Sequence, residues 1–87
     1  MIRERLLEVI EKSGLSASEL EERTGIKAYT WGNLKTGKQR ANEDHIEALN
    51  GLFPEYAYWM STGKTLPNAG QISPEVEEIR QKLEKAG

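Results

Sequence analysis

Cysteine is absent from this 87-residue chain, and histidine occurs once, as His45. Without thiols there is no disulfide framework and no thiolate metal site, a usage that suits a reducing cytosol. A single imidazole supplies no ligand set for a metal, so His45 reads as a surface or partly packed side chain. No apolar run approaches the roughly 20 residues needed to cross a bilayer. The first residues lack the apolar core of a signal peptide. No nucleophile–base pair, carboxylate dyad or metal cluster can be assembled, so catalysis is not expected. These absences leave a soluble, cytoplasmic, single-domain protein as the expectation. It should have no cofactor, no metal, no membrane segment and no small-molecule substrate.

Neither sign of charge dominates: 12 Lys and Arg stand against 14 Asp and Glu, for a net charge of −2. That total argues against nonspecific polyanion binding as the whole function, and the distribution becomes the informative quantity. Residues 1 to 22 hold Arg3, Arg5 and Lys12 against Glu4, Glu8, Glu11, Glu19, Glu21 and Glu22. From Lys27 to Ala41 the chain carries Lys27, Lys35, Lys38 and Arg40 and no acid at all. A basic, acid-free stretch against an acidic background is the footprint of a surface that meets phosphate.

That stretch overlaps the best-defined local pattern, Ser16 to Gly37. Ser16 is placed to cap a helix, and Glu19, three residues on, can reach back to the Ser16 amide in a capping box. Leu15 and Leu20 stand where a hydrophobic staple would fix the entry angle. Gly25 sits where the chain must leave that helix with a positive φ, and Ile26 anchors the corner. A second helix then runs from about Ala28 to Thr36 and stops at Gly37. Leu20, Thr24, Ile26, Trp31 and Leu34 can share one interior. The opposite face of the second helix shows Ala28, Tyr29, Gly32, Asn33 and Thr36, small or polar residues with no acid among them. Such a pair is what a helix-turn-helix needs to enter a major groove.

The spacing of Leu20, Gly25, Ile26, Trp31, Leu34 and Gly37 resembles the helix-turn-helix of the Cro and phage-repressor-like regulators, over about residues 3 to 62. Two positions depart from that family. Glu21 stands where a small residue, often Ala, is usual, because the two helices approach closely there. Ala17 stands where Gln is frequent, which removes an expected phosphate contact; Ser18 or the helix-end amides are the substitutes. The resemblance implies that Ala28, Tyr29, Gly32 and Asn33 face base edges, and that Gln39, in the loop after the helix, also reaches the groove. Asn pairs in bidentate fashion with adenine, and the Ala28 methyl suits a thymine methyl. Ser18, Lys27, Thr30, Lys35, Thr36, Lys38 and Arg40 would contact phosphate and set the register.

The rest of the chain reads as scaffold. Ile2, Leu6, Val9 and Ile10 form one stripe of a helix ending at Gly14, with Arg3 and Arg5 as solvated surface charge. Asn42 caps a helix through about Asn50 that Gly51 ends, with Ile46 and Leu49 facing inward. Pro54 opens the next helix, in which Phe53, Tyr56, Trp59 and Met60 are core and Tyr58 lies off the apolar stripe. Ser61 to Lys64 ends it; its likeness to a phosphate loop fails for want of a leading glycine and a preceding strand. Ser73 caps a last helix, whose Ile72, Val76, Ile79 and Leu83 step by 4, 3 and 4 residues. That narrow seam either packs on its own domain or meets a second chain.

The expected fold is all-α: a compact bundle of about five short helices around a central helix-turn-helix, plus a C-terminal helix. Residues 1–64 form the DNA-binding domain, 65–71 a linker, and 72–87 the C-terminal helix as a candidate dimerisation element. The expected function is a sequence-specific transcriptional regulator, a phage- or prophage-type repressor binding a palindromic operator in double-stranded DNA as a homodimer. A small helical protein-interaction module, antitoxin-like or an adaptor, is the alternative. A steep loss of affinity with salt separates the two.

Overall fold

Leucine, valine and isoleucine at helical spacing make Ile2–Ser13 the first helix, α1, and it buries Leu6, Val9 and Ile10. The computed structural model describes residues 2–86, and α1 packs against α5 and α6. It is followed by α2 (Ala17–Thr24), α3 (Ala28–Thr36), α4 (Glu43–Leu52), a 3-10 turn (Pro54–Tyr56), α5 (Ala57–Thr62), a second 3-10 turn (Pro67–Ala69) and α6 (Pro74–Ala86). No β-strand is present among the described residues, so the architecture is an all-α bundle. Leu6, Val9, Leu20, Trp31, Leu34, Leu49 and Met60 are fully shielded from water. Each such aliphatic side chain contributes on the order of 1.5–3 kcal/mol. One continuous core therefore ties α1 to α2, α3, α4 and α5.

Local chemistry sets the ends of α2 and α3. Ser16 Oγ accepts from the Glu19 N–H at 3.1 Å, and the Glu19 carboxylate accepts from the Ser16 N–H at 3.0 Å, closing the capping box. Gly25 leaves α2 at φ 78° and Gly37 leaves α3 at φ 82°, left-handed conformations that an L side chain resists. Only three residues, Gly25 to Lys27, separate the two helices, which pack against each other.

Several expectations change. Gly51 does not end α4; the helix continues to Leu52, and Pro54 is the stop. A residue before proline is driven out of the α region, and Phe53 sits at φ −130°, ψ 66°. The proline itself opens a 3-10 turn, and α5 begins only at Ala57. His45 is not a surface residue but almost wholly buried. Its Nδ1 accepts from the Asn42 N–H at 3.2 Å while Asn42 Oδ1 accepts from the His45 N–H at 3.1 Å. Histidine thus plays the part that Glu takes in the usual capping box. Arg3 and Arg5 are not free surface charge either. Arg3 donates to the Leu34 and Lys35 carbonyls at 3.1 and 3.2 Å, and Arg5 to those of Met60 and Ser61 at 2.9 and 3.3 Å. Two arginines on one helix thereby satisfy the last-turn carbonyls of α3 and α5.

The stretch read as a linker is a closed, docked loop. Leu66 and Gln71 exchange both backbone hydrogen bonds, at 2.8 and 3.0 Å, around the second 3-10 turn. The Gln71 side chain donates to the Pro54 carbonyl and accepts from the Tyr58 N–H, at 3.0 and 2.9 Å. The Ile72 N–H reaches the Glu55 carbonyl at 2.9 Å. This places the start of α6, which Ser73 Oγ caps by accepting from the Val76 N–H at 3.2 Å. The seam then divides: Ile72 and Val76 are half-buried, whereas Ile79 and Leu83 are 51% and 68% exposed.

Candidate nucleic-acid interface

The site is built on α3, a helix held at both ends by charges from other elements. Lys27 occupies its N-cap position and offers no capping side chain. The missing acceptor comes from α2, where Glu21 Oε1 accepts from the Ala28 N–H at 2.7 Å. At the other end Arg3 binds the carbonyls of Leu34 and Lys35. An acid at the positive end of the helix dipole and a base at the negative end are both stabilising placements. Trp31 and Leu34, fully buried, fix the rotation of α3 about its axis. Glu21 is thus the position where the chain departs from the resembled family, and it serves as a cap rather than disturbing the packing.

With that rotation fixed, Ala28, Tyr29, Gly32, Asn33 and Thr36 share the face opposite Trp31 and Leu34. Tyr29 is the most prominent, 69% exposed. Ala28, Gly32 and Asn33 are half-buried, and nothing in the fold lies within 4 Å of where a Gly32 Cβ would stand. The glycine is therefore not demanded by packing inside the chain. Gln39 is drawn to the same region, because its backbone N–H donates to the Asn33 carbonyl at 3.2 Å.

The basic and hydroxyl residues divide into groups. Lys27, Lys38 and Arg40 are exposed, and no ion pair holds them among the described residues. Thr30 and Thr36 donate their hydroxyls to the Lys27 and Asn33 carbonyls, at 2.7 and 3.4 Å, leaving oxygen lone pairs outward. Lys35 lies apart. It borders a groove with Leu7, Ile10, Glu11, Gly14 and Leu15, on the side of α3 away from Asn33. Ser18 is exposed in the first turn of α2, not on the α3 face. The Ala28 N–H, which could have replaced the missing Gln, is already occupied by Glu21.

Elsewhere the structure offers little chemistry. A cavity of about 400 Å³ between α1, Phe53, Tyr56 and α6 is lined by Lys12, Glu77 and Arg80 and lies away from α3. Burial, then Glu77, raises the Tyr56 hydroxyl above its ordinary range. Among the described residues no cluster of His, Asp and Glu could hold a metal, and no helix is long and apolar enough to cross a membrane.

Sequence reasoning missed three anchors: Glu21, Arg3 and Arg5. A signal existed for the first, since a helix starting after Lys27 lacks any capping side chain of its own. None existed for the arginines, whose partners lie 31 to 56 residues away.

An all-α domain that presents one helix, fixed at both ends and bare on its outer face, defines a small helical bundle protein. No protein-family model matches the chain, and no curated protein matches it. Among solved structures it is similar to Pf6r from the filamentous phage Pf6 of Pseudomonas aeruginosa PA01. The TM-score is 0.84 at 32% identity, covering 99% of this chain and 98% of that one. The chain belongs to the family of this phage protein.

Proposed function

We infer that the protein is a sequence-specific DNA-binding regulator of the phage-repressor type, with α2 and α3 as its helix-turn-helix. The observation that carries this reading is the fixing of α3. Glu21 and Arg3 hold its two ends, Trp31 and Leu34 hold its rotation, and its outer face is left with no structural duty. Tyr29, Asn33 and Gln39 then read base edges, with Ala28 and Gly32 admitting close approach of the helix. Lys27, Lys38 and Arg40, with Thr30 and Thr36, meet the phosphates. Lys35 and Ser18 have weaker claims, because they lie off that face. The reading assigns no catalysis, cofactor or metal.

The second element is homodimerisation through the free half of α6, which would set two copies of α3 about one turn of DNA apart, roughly 34 Å. Its support is the exposure of Ile79 and Leu83 on a helix whose first half is already packed.

Selection of bound sites from random duplex DNA, repeated at two salt concentrations, tests the whole. Enrichment of a two-fold symmetric site, with affinity falling steeply as salt rises, is the expected result. No enrichment and no binding at low salt would redirect the search to protein partners of α6.

A further inference from the structure

An α-helix begins with unpaired N–H groups and a positive dipole end, which together form a natural seat for a phosphate. In α3 that seat is taken by the chain itself. The Glu21 carboxylate, half-buried on α2, accepts from the Ala28 N–H at 2.7 Å. Ala28 is also the first residue of the face assigned to base reading, so a fixed negative charge stands at the mouth of the interface. It stands against the start of a stretch that carries no acid of its own from Lys27 to Ala41. A helix could be capped there without charge, by Ser, Thr or Asn at residue 27. This chain places Lys27 at that position and a carboxylate across the turn instead.

We propose that Glu21 is an affinity-limiting residue that works by exclusion: it closes the N-terminus of α3 to the DNA backbone and lowers affinity for every sequence. This rests on the DNA-reading role of α3. Phosphate contacts add affinity without sequence information, whereas base-edge contacts carry the discrimination. A charge that repels the backbone therefore subtracts from nonspecific and specific binding alike. What remains of the affinity depends more heavily on Tyr29, Asn33 and Gln39. The arrangement also keeps a weakly basic reading surface from dwelling on random DNA.

The test compares the wild-type chain with Glu21→Gln, Glu21→Ala and Glu8→Gln on random-sequence duplex DNA and on the site recovered by selection. Gln keeps an acceptor for the Ala28 N–H and removes only the charge. Glu8 is exposed on α1 against the start of α6 and controls for the loss of one negative charge elsewhere. Glu21→Gln should bind both DNAs about three- to tenfold more tightly at low salt, with the gain shrinking as salt rises. Glu21→Ala should gain at least as much, because the Ala28 N–H becomes free for phosphate, while its melting temperature falls. Glu8→Gln should stay within about twofold of wild type. Wild-type binding that Glu21→Gln leaves unchanged, or raises no more than Glu8→Gln does, overturns the role of Glu21 alone. Absence of wild-type binding at low salt overturns the DNA reading beneath it.

Discussion

The Trp31 indole and the His45 imidazole lie with ring centroids 5.0 Å apart and planes tilted by 55°, both rings almost fully shielded from water. The pair joins α3 to the first turn of α4, so the orientation of the candidate reading helix depends on a titratable ring. Nδ1 of His45 accepts the Asn42 N–H, which requires the neutral imidazole with its proton on Nε2. Burial holds this histidine below its ordinary range, opposed in part by the Asp44 charge.

The consequence is acid sensitivity at mild pH. The unfolded chain takes up a proton at His45 near pH 6.5, while the folded chain resists it to lower pH. Stability is therefore complete above about pH 6.5 and declines as pH falls toward the folded value. Glu19 is held below its ordinary range by its hydrogen bonds with the Ser16 backbone and side chain. Melting temperatures measured between about pH 8 and pH 5 should fall toward acid in the wild type. In His45→Gln the whole curve should sit lower and run flatter. An equal slope in the two proteins would show that another group carries the dependence.

Arg3 supplies the next expectation. Its guanidinium reaches two carbonyls at the end of α3, and charge-assisted hydrogen bonds of this kind contribute about 1–3 kcal/mol. Allowing for solvent at the outer of the two bonds, Arg3→Ala should cost about 1–2 kcal/mol. In a domain of this size that lowers the melting temperature by roughly 4–16 °C. Arg3→Lys should recover only part of the loss, since an ammonium cannot reproduce the planar fork. A thermal scan of the two variants decides it, and full rescue by lysine would mean that charge alone matters.

These anchors mark where the sequence was legible and where it was not. The ends of α2 and α3 were readable because their determinants are local: Ser16 and Glu19 are three residues apart, and Gly25 and Gly37 sit at the bends they permit. The all-α class followed from the spacing of Leu6, Val9, Ile10, Trp31 and Leu34. Gly51 misled because a glycine only allows a helix to end, whereas Pro54 compels it. Burial of His45 was hidden because its neighbour Trp31 lies on another helix. Arg3 and Arg5 resemble surface charge in any one-dimensional reading, and only the packing of α1 brings them to the ends of α3 and α5. On the candidate interface, periodicity supplied the shared face of α3 but not the separation of Lys35 from it.

On that face, base reading and phosphate holding should respond differently to mutation. Asn33 lies beside Tyr29 on the exposed side, and its amide can make a bidentate pair with adenine. Asn33→Ala should weaken binding to the selected site by about 1–3 kcal/mol while leaving affinity for random DNA nearly unchanged. Lys38, exposed and without an ion pair, should act in the opposite way. Lys38→Ala should weaken binding to every sequence and reduce the slope of log affinity against log salt by about one unit. Titrations on both DNAs at several salt concentrations distinguish the two. Equal losses for Asn33→Ala on both would remove it from the reading set, and an unchanged slope would remove Lys38 from the phosphate set.

The free half of α6 is the remaining surface with a definite expectation. Residues 78 to 85 are all exposed, and Ile79 and Leu83 lie one helical turn apart on the same side. A helix of this length is marginal in water without a partner surface. Ile72, by contrast, packs against the core of its own domain and Val76 is half-buried, so substitution there would damage the fold as well as any contact. Leu83→Asp separates the two effects, since it places a charge where only a second copy would bury it. Sedimentation should show the wild type as a dimer and Leu83→Asp shifted toward monomer. The monomer's own fold should stay intact, with its helical circular dichroism unchanged. Affinity for a two-fold symmetric site should fall more than affinity for a half-site, because only the symmetric site gains from linking two reading helices. A wild type that remains monomeric at concentrations well above those used for DNA binding would assign the exposed face of α6 to a different partner.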